Sequence, residues 1–193
     1  MLSTLIQNPI IGGNGSTYPT NTIGYRTFYP GTNCQIEYVK ADPASSVPIA
    51  IGGAVGTLRA SVAAGSVAGY TSGNTAGAVT GDLSRSDSVQ FRGIALNTLS
   101  ISSGTYRFGW VMTSGNLKDL NRALARDGIA SVAIKCASVA KRSILNFNAD
   151  NKLGTIAATT ITAARGIKGV GRAFVAGSSS TSLTDATIGT PFA

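Results

Sequence analysis

Apolar and polar positions alternate with a period of two along much of the chain. Cys34, Ile36, Tyr38 and Lys40 interleave with Gln35, Glu37 and Val39, the pattern of a β-strand. Short runs of the same kind predict strands near 47–52, 54–59, 66–70, 88–96 and 105–113. Turns rich in Gly, Ser and Asn separate them, among them Gly52-Gly53, Ser72-Gly73-Asn74, Gly81-Asp82, Ser103-Gly104 and Ser114-Gly115. The period changes once. Leu117, Leu120 and Leu124 fall on one face of a helix over 117–126, with Asn116 as its cap and Asp119 near its positive end. Arg122 and Arg126 suit its last turns, and Gly128 supplies a left-handed stop. Strand patterns then resume in the β-branched run Ile129–Val139 and in a hairpin joining 143–147 to the residues after an Asp150-Asn151-Lys152 turn. Further strands are expected at 159–162 and 170–175, with a loop at 177–180 and a last strand or second arm over 188–193.

The elements predict a mainly β fold: a sandwich or barrel-like β core with an extended N-terminal arm and one short helix. Composition agrees. Gly, Ala, Ser and Thr make up nearly half of the chain and Glu37 is its single glutamate, which disfavours a helical bundle. Residues 1–35 read as the arm and 36–193 as the core. Pro9, Pro19, Pro30 and the Gly12-Gly13-Asn14-Gly15 cluster break regular structure in the arm, and its one charge is Arg26. It carries four aromatics, Tyr18, Tyr25, Phe28 and Tyr29, so it needs a surface to lie on: its own domain, or a neighbouring subunit on which these rings would anchor. An echo of Gly93-Ile94-Ala95 in Gly171-Arg172-Ala173 divides the core into two candidate modules, 36–115 and 128–193.

Charge changes the picture in the second half. Up to Leu96 five basic residues face four acidic ones; from Asn97 onward eleven face four. Such a surplus suits an acidic partner. Within the stretch from Lys118 to Arg172, which includes Arg122, Arg126 and Lys168, the sole aromatic is Phe147. Single-strand nucleic-acid binders interleave basic residues with stacking aromatic rings, so this stretch favours an acidic protein face over nucleic acid.

Catalytic constellations fail one by one. The chain has no histidine, which removes histidine triads, histidine metal ligands and imidazole proton shuttles. Cys34 and Cys136 read as buried free thiols, too few for a thiolate zinc site. Carboxylates are scattered, so neither paired-acid chemistry nor an oxygen-ligand metal site is expected. Gly166-Ile167-Lys168-Gly169-Val170-Gly171 lacks the spacing of either standard phosphate loop. Its Gly166–Gly169 match to an RNA-binding GxxG loop lacks flanking helices. Ser143 beside Lys141 carries no weight among so many serines. No cofactor, metal or catalytic residue is expected, and the chain is read as not an enzyme. The first basic residue is Arg26 and the most apolar stretch is short and glycine-broken, so neither an export signal nor a membrane span is expected.

The stretch from Asp87-Ser88-Val89-Gln90-Phe91-Arg92-Gly93-Ile94-Ala95 through Gly109-Trp110-Val111-Met112-Thr113-Ser114-Gly115 resembles a pattern in small β-rich virion proteins of tailed phages. There, a strand ending in Gly-Ile/Val-Ala leads to a Gly-Trp-Val strand closed by a polar turn. Asp127-Gly128-Ile129-Ala130 and Gly169-Val170-Gly171-Arg172-Ala173 are similar to its continuation, and the resemblance spans roughly residues 36–177. It implies a capsid decoration or cement protein, made in the host cytoplasm and placed on the virion surface. The partners so implied are the major capsid protein and further copies of the chain; from the residues themselves no membrane partner is expected, and nucleic acid stays open as the alternative without being favoured. The residues expected to meet a partner are Tyr18, Tyr25, Arg26, Phe28, Tyr29, Arg122, Arg126, Lys168 and Arg172.

Overall fold

The computed structural model describes residues 9–17, 23–41, 48–58, 78–79, 89–99, 108–147, 152–155 and 169–189. The fold is mainly β. Strands β1 (Arg26–Phe28), β2 (Gln35–Ala41), β3 (Ala54–Leu58), β4 (Ala78–Val79), β5 (Val89–Ala95) and β6 (Phe108–Asn116) precede helix α1 (Leu117–Arg126). Strands β7 (Ile144–Phe147), β8 (Leu153–Thr155), β9 (Gly171–Ala173) and β10 (Ala186–Ile188) follow it. The main ladder runs β1-β2-β6-β10-β9-β7-β8; β5 also pairs with β6 and with β3, and β4 adds in parallel to β2. The ladder does not close on itself, so sandwich or barrel-like describes it loosely. The segments expected at 66–70 and 159–162 lie outside the described residues, as do 190–193 of the last strand or second arm expected over 188–193; β10 ends at Ile188, where that range begins.

The two stretches read as modules meet on β6. Its middle pairs with β2 and β5, and its last two residues, Gly115 and Asn116, pair with Ile188 and Thr187 of β10. One apolar cluster runs through both stretches, from Ile36, Tyr38 and Trp110 to Leu145, Leu183 and Ile188. The opposite face of the β2–β6 sheet has its own cluster of Val39, Ala41, Val55, Ala95 and Val111. Burial on both faces explains why Ile36 to Val39 form a continuous buried run although their sequence alternates.

Helix α1 matches its expected bounds. Asn116 ends β6 and caps the helix, its Oδ1 accepting from the amides of Lys118 (2.8 Å) and Asp119 (3.3 Å). Leu117, Leu120, Ala123 and Leu124 are buried, and Gly128 takes φ +71° beyond the C-cap Asp127. Strand can turn into helix here because Gly115 adopts φ +126°, where a Cβ would also crowd the Cys34 backbone.

Two expected strands differ. Ile129–Val139 forms no ladder: Ile134 bridges Leu183, Cys136 bridges Leu153 and Val139 bridges Gly177. Alternate residues Val132, Ile134 and Cys136 are buried, so the period of two is real, but the partner changes every two or three residues and no continuous strand results. Likewise, of the strand expected at 47–52, the described residues 48–52 contribute a single bridge, Ile49 to Leu99, before a turn closed by the Gly53 amide on Ala50 O. The hairpin of β7 and β8 has the expected pairing, with Phe147 opposite Leu153.

Of the two surfaces open to the N-terminal segment, its own domain or a neighbour, the described parts 9–17 and 23–35 lie along the chain's own core. The Gly12 amide donates to Leu96 O, the Gly15 amide to Thr98 O, and Ser16 exchanges both backbone bonds with Phe108. Strand β1 pairs along β2, Arg26 opposite Glu37. Two polar residues are buried among the described ones, and each fastens this segment. Asn97 donates from Nδ2 to Gly12 O (2.9 Å) and Ile10 O (3.3 Å) and accepts the Trp110 amide on Oδ1 (2.8 Å). Glu37 accepts Arg26 Nε on Oε2 at 3.0 Å and Arg92 on Oε1. The physical reason is satisfaction: a buried amide or carboxylate is stable only where the chain supplies donors and acceptors.

Asn97→Leu leaves the Trp110 amide and the Gly12 carbonyl without partners in the core. It should lower unfolding stability by about 2–4 kcal/mol in urea titration, whereas Phe28→Ala on the exposed edge should change it by less than about 0.5 kcal/mol.

Candidate functional site

The turn after β1 packs its Tyr29-Pro30-Gly31-Thr32-Asn33 sequence against α1. The Thr32 amide and hydroxyl both donate to Tyr29 O, at 3.0 and 2.9 Å, and the Tyr29 amide donates to Cys34 O to join β1 to β2. Arg126 reaches over from the last turn of α1, donating from Nη2 to Pro30 O (3.1 Å) and from Nε to Asp127 Oδ1 (3.1 Å). The Tyr29 hydroxyl donates to Asp127 Oδ2 at 2.7 Å. Between turn and helix lies an open groove of about 620 Å³, lined by Gly31, Thr32, Asn33, Asp119, Arg122, Ala123 and Arg126.

The groove is electrostatically mixed: two guanidiniums line it and each pairs with a carboxylate, Arg122 with Asp119 and Arg126 with Asp127. Arg122 is largely exposed and pairs with Asp119 at 3.4 Å across one helical turn, a solvated contact that leaves its guanidinium able to exchange partners. Beneath the rim, burial and then the neighbouring Asp127 carboxylate push the Tyr29 phenol up to about 12. Asp127 is held below the usual carboxylate range by the Arg126 guanidinium and, second, by the Tyr29 hydroxyl. These groups can hold an acidic or carbonyl-rich segment by charge-assisted hydrogen bonds. Among the described residues no cluster of His, Cys, Asp or Glu could hold a metal ion, and no helix is long and apolar enough to cross a membrane. Cys34 and Cys136 are free and buried, with thiols pushed up by that burial, which makes them poor nucleophiles.

The structure therefore brings Arg122 and Arg126 beside the turn that follows Phe28 and Tyr29. It also redistributes the expected roles. Tyr29 is only 3% exposed and lies in its own chain's core, so it does not serve as an anchor for a neighbour. Tyr25 is partly buried against the same core, edge-on to Trp110 with ring centres 6.4 Å apart. Arg26 is tied to Glu37. Phe28 alone of these three rings projects outward, 59% exposed on the end strand of the ladder. Arg172 is exposed on β9, in the other part of the sheet, and Tyr18 and Lys168 lie outside the described residues. Sequence reasoning missed Asn97 and the pairing of Glu37 with Arg92. The signal for the latter was present: a single glutamate inside an apolar strand, in a chain short of acids, needs arginine partners. Comparison with protein-family models, with curated proteins and with solved structures gives no match.

In alkaline titration followed by ultraviolet absorbance, Tyr29 should ionise near pH 12, two units above an ordinary tyrosine. The Tyr29→Phe variant identifies the transition by losing it. Because the folded value is the higher one, the unfolded chain releases this proton first, so stability should fall as pH rises from about 10 toward 12. Asp127→Asn should bring the transition only part of the way back, since burial is the larger cause.

Proposed function

We propose that this chain is a bacteriophage virion structural protein, a capsid decoration or cement protein that binds and stabilises the lattice of the major capsid protein. On this reading it acts without catalysis and works as a homo-oligomer on the capsid surface. The observation that carries the reading is the juxtaposition of an exposed Phe28 on an end strand with the groove lined by Arg122 and Arg126 just beyond the following turn. An end strand offers main-chain groups for pairing, an aromatic offers an anchor, and the groove offers charge-assisted bonds; together they suit another polypeptide better than a small molecule. On a symmetric lattice many such modest contacts act together, so no single interface has to be large.

The residues of the phage-like pattern support this reading at the level of scaffold. Gly93-Ile94-Ala95 ends β5, Gly109-Trp110-Val111 begins β6, and the two strands pair through Ile94–Met112 and Ala95–Val111. A side chain at Gly93 would collide with the Met112 carbonyl, so the pattern is what a tightly packed strand pair requires. It builds the rigid core that displays the groove, while the groove itself lies outside the pattern.

Quantitative mass spectrometry of purified particles of the encoding phage should find this chain in a simple whole-number ratio to the major capsid protein, and Arg122→Glu should lower that occupancy. Recovery only from the unassembled fraction would refute a virion role. A handful of copies per particle would refute the lattice role and assign the chain to the head–tail connection or the tail.

A further inference from the structure

A second outward surface lies on β9, apart from the groove. Arg172 and Phe174 are two residues apart and both exposed, with buried Ala173 between them. Phe174 is 37% exposed, one of three large apolar residues so displayed among the described ones. Beside it runs the turn Ala140-Lys141-Arg142-Ser143, closed by the Ser143 amide on Ala140 O. This turn is fastened to β9 by two backbone bonds, from the Arg142 amide to Ala173 O (2.9 Å) and from the Ala173 amide to Ser143 O (2.9 Å). Lys141 and Arg142 are exposed at its tip.

Arg142 is unusual. Its φ is +68°, in the left-handed region that glycine occupies readily and a long side chain does not. A glycine there would serve the turn better, yet the position carries a guanidinium. Backbone strain kept together with an exposed charge points to a use for that charge. Asp185, just before β10, accepts the Phe174 amide on its backbone carbonyl and stands opposite Phe174, half-buried with its Oδ1 enclosed, so one carboxylate accompanies these three cations. Backbone bonds thus hold Lys141 and Arg142 of the turn against the strand that carries Arg172 and leads into Phe174.

We propose that this face binds single-stranded nucleic acid, with a base stacked on Phe174 and backbone phosphates held by Arg142, Lys141 and Arg172. Stacking on an aromatic is tolerant of sequence and every base offers a face for it, while planar guanidiniums pair with phosphate oxygens. The sequence window that disfavoured nucleic acid ended at Arg172, two residues short of this ring. The proposal is independent of the capsid reading, because the surface and the partner both differ.

The test is fluorescence anisotropy with a labelled oligothymidylate of about twelve nucleotides, at low and rising salt. The full chain should bind with a steep salt dependence. Phe174→Ala should weaken binding about 5- to 150-fold, the range expected for one lost stacking contact. Arg142→Gly should reduce the slope of log affinity against log salt by about 0.7, the value of one phosphate contact. It should also unfold no more easily than the parent, since glycine suits that backbone; this separates lost binding from lost folding. Arg122→Ala, in the groove, should bind as the parent does. Absence of binding at low salt would overturn the proposal, as would equal affinity in the Phe174 and Arg142 variants or equal affinity for duplex. Displacement by polyglutamate of matching charge as effective as by unlabelled oligothymidylate would also overturn it, and assign the face to an acidic polypeptide.

Discussion

A polar side chain sealed inside a β core has to find its partners within the chain, and here that requirement decides where the N-terminal segment goes. Asn97 offers one acceptor and two donors; the acceptor takes the Trp110 amide of β6 and the donors reach the carbonyls of Ile10 and Gly12. Glu37 divides its two oxygens between Arg26 of β1 and Arg92 of β5. The bonds to Ile10, Gly12 and Arg26 join the N-terminal segment to the central strands, and each would leave a desolvated group behind if the segment lifted away. Ile11, Tyr25 and Tyr29 then pack against a core already held in place.

From that anchoring the rest of the architecture follows. Strand β6 is paired on both edges and passes through Gly115 into Asn116, which pairs with β10, caps α1 and accepts the Cys34 thiol on its carbonyl. The helix is thereby fixed against the turn after β1, and the groove between them is rigid because Tyr29, Arg126 and Asp127 are bonded across it. On the other side of the β6–β10 junction, β9 carries the strained turn and Phe174 outward. One continuous ladder displays two surfaces of different chemistry, one suited to polypeptide and one suited to a polyanion with stacking bases.

Much of this was legible in the sequence where a local rule governs. The helix bounds follow from Asn116, the leucine spacing and Gly128. The β2, β3, β5 and β6 strands follow from alternation and turn residues. The sequence was silent where partners are distant. Ile129–Val139 alternates as a strand should, but which segments meet it depends on Leu183, Leu153 and Gly177, far along the chain. The aromatic, uncharged N-terminal segment satisfied two readings equally, docking on its own domain or on a neighbour, and only the positions of Asn97 and Glu37 separate them. Phe174 went unnoticed because its basic neighbours at 141–142 are brought to it by backbone pairing, not by sequence proximity.

Native-state hydrogen exchange tests the central claim most directly, that residues 9–17 and 23–35 belong to the chain's own core. The amides of Gly12, Gly15, Ser16 and Tyr29 should exchange as slowly as those of Val111 and Met112 in β6, through the same cooperative opening. Exchange of those four amides at the rate of an unstructured peptide, with β6 still protected, would show the segment to be a free arm and contradict the account.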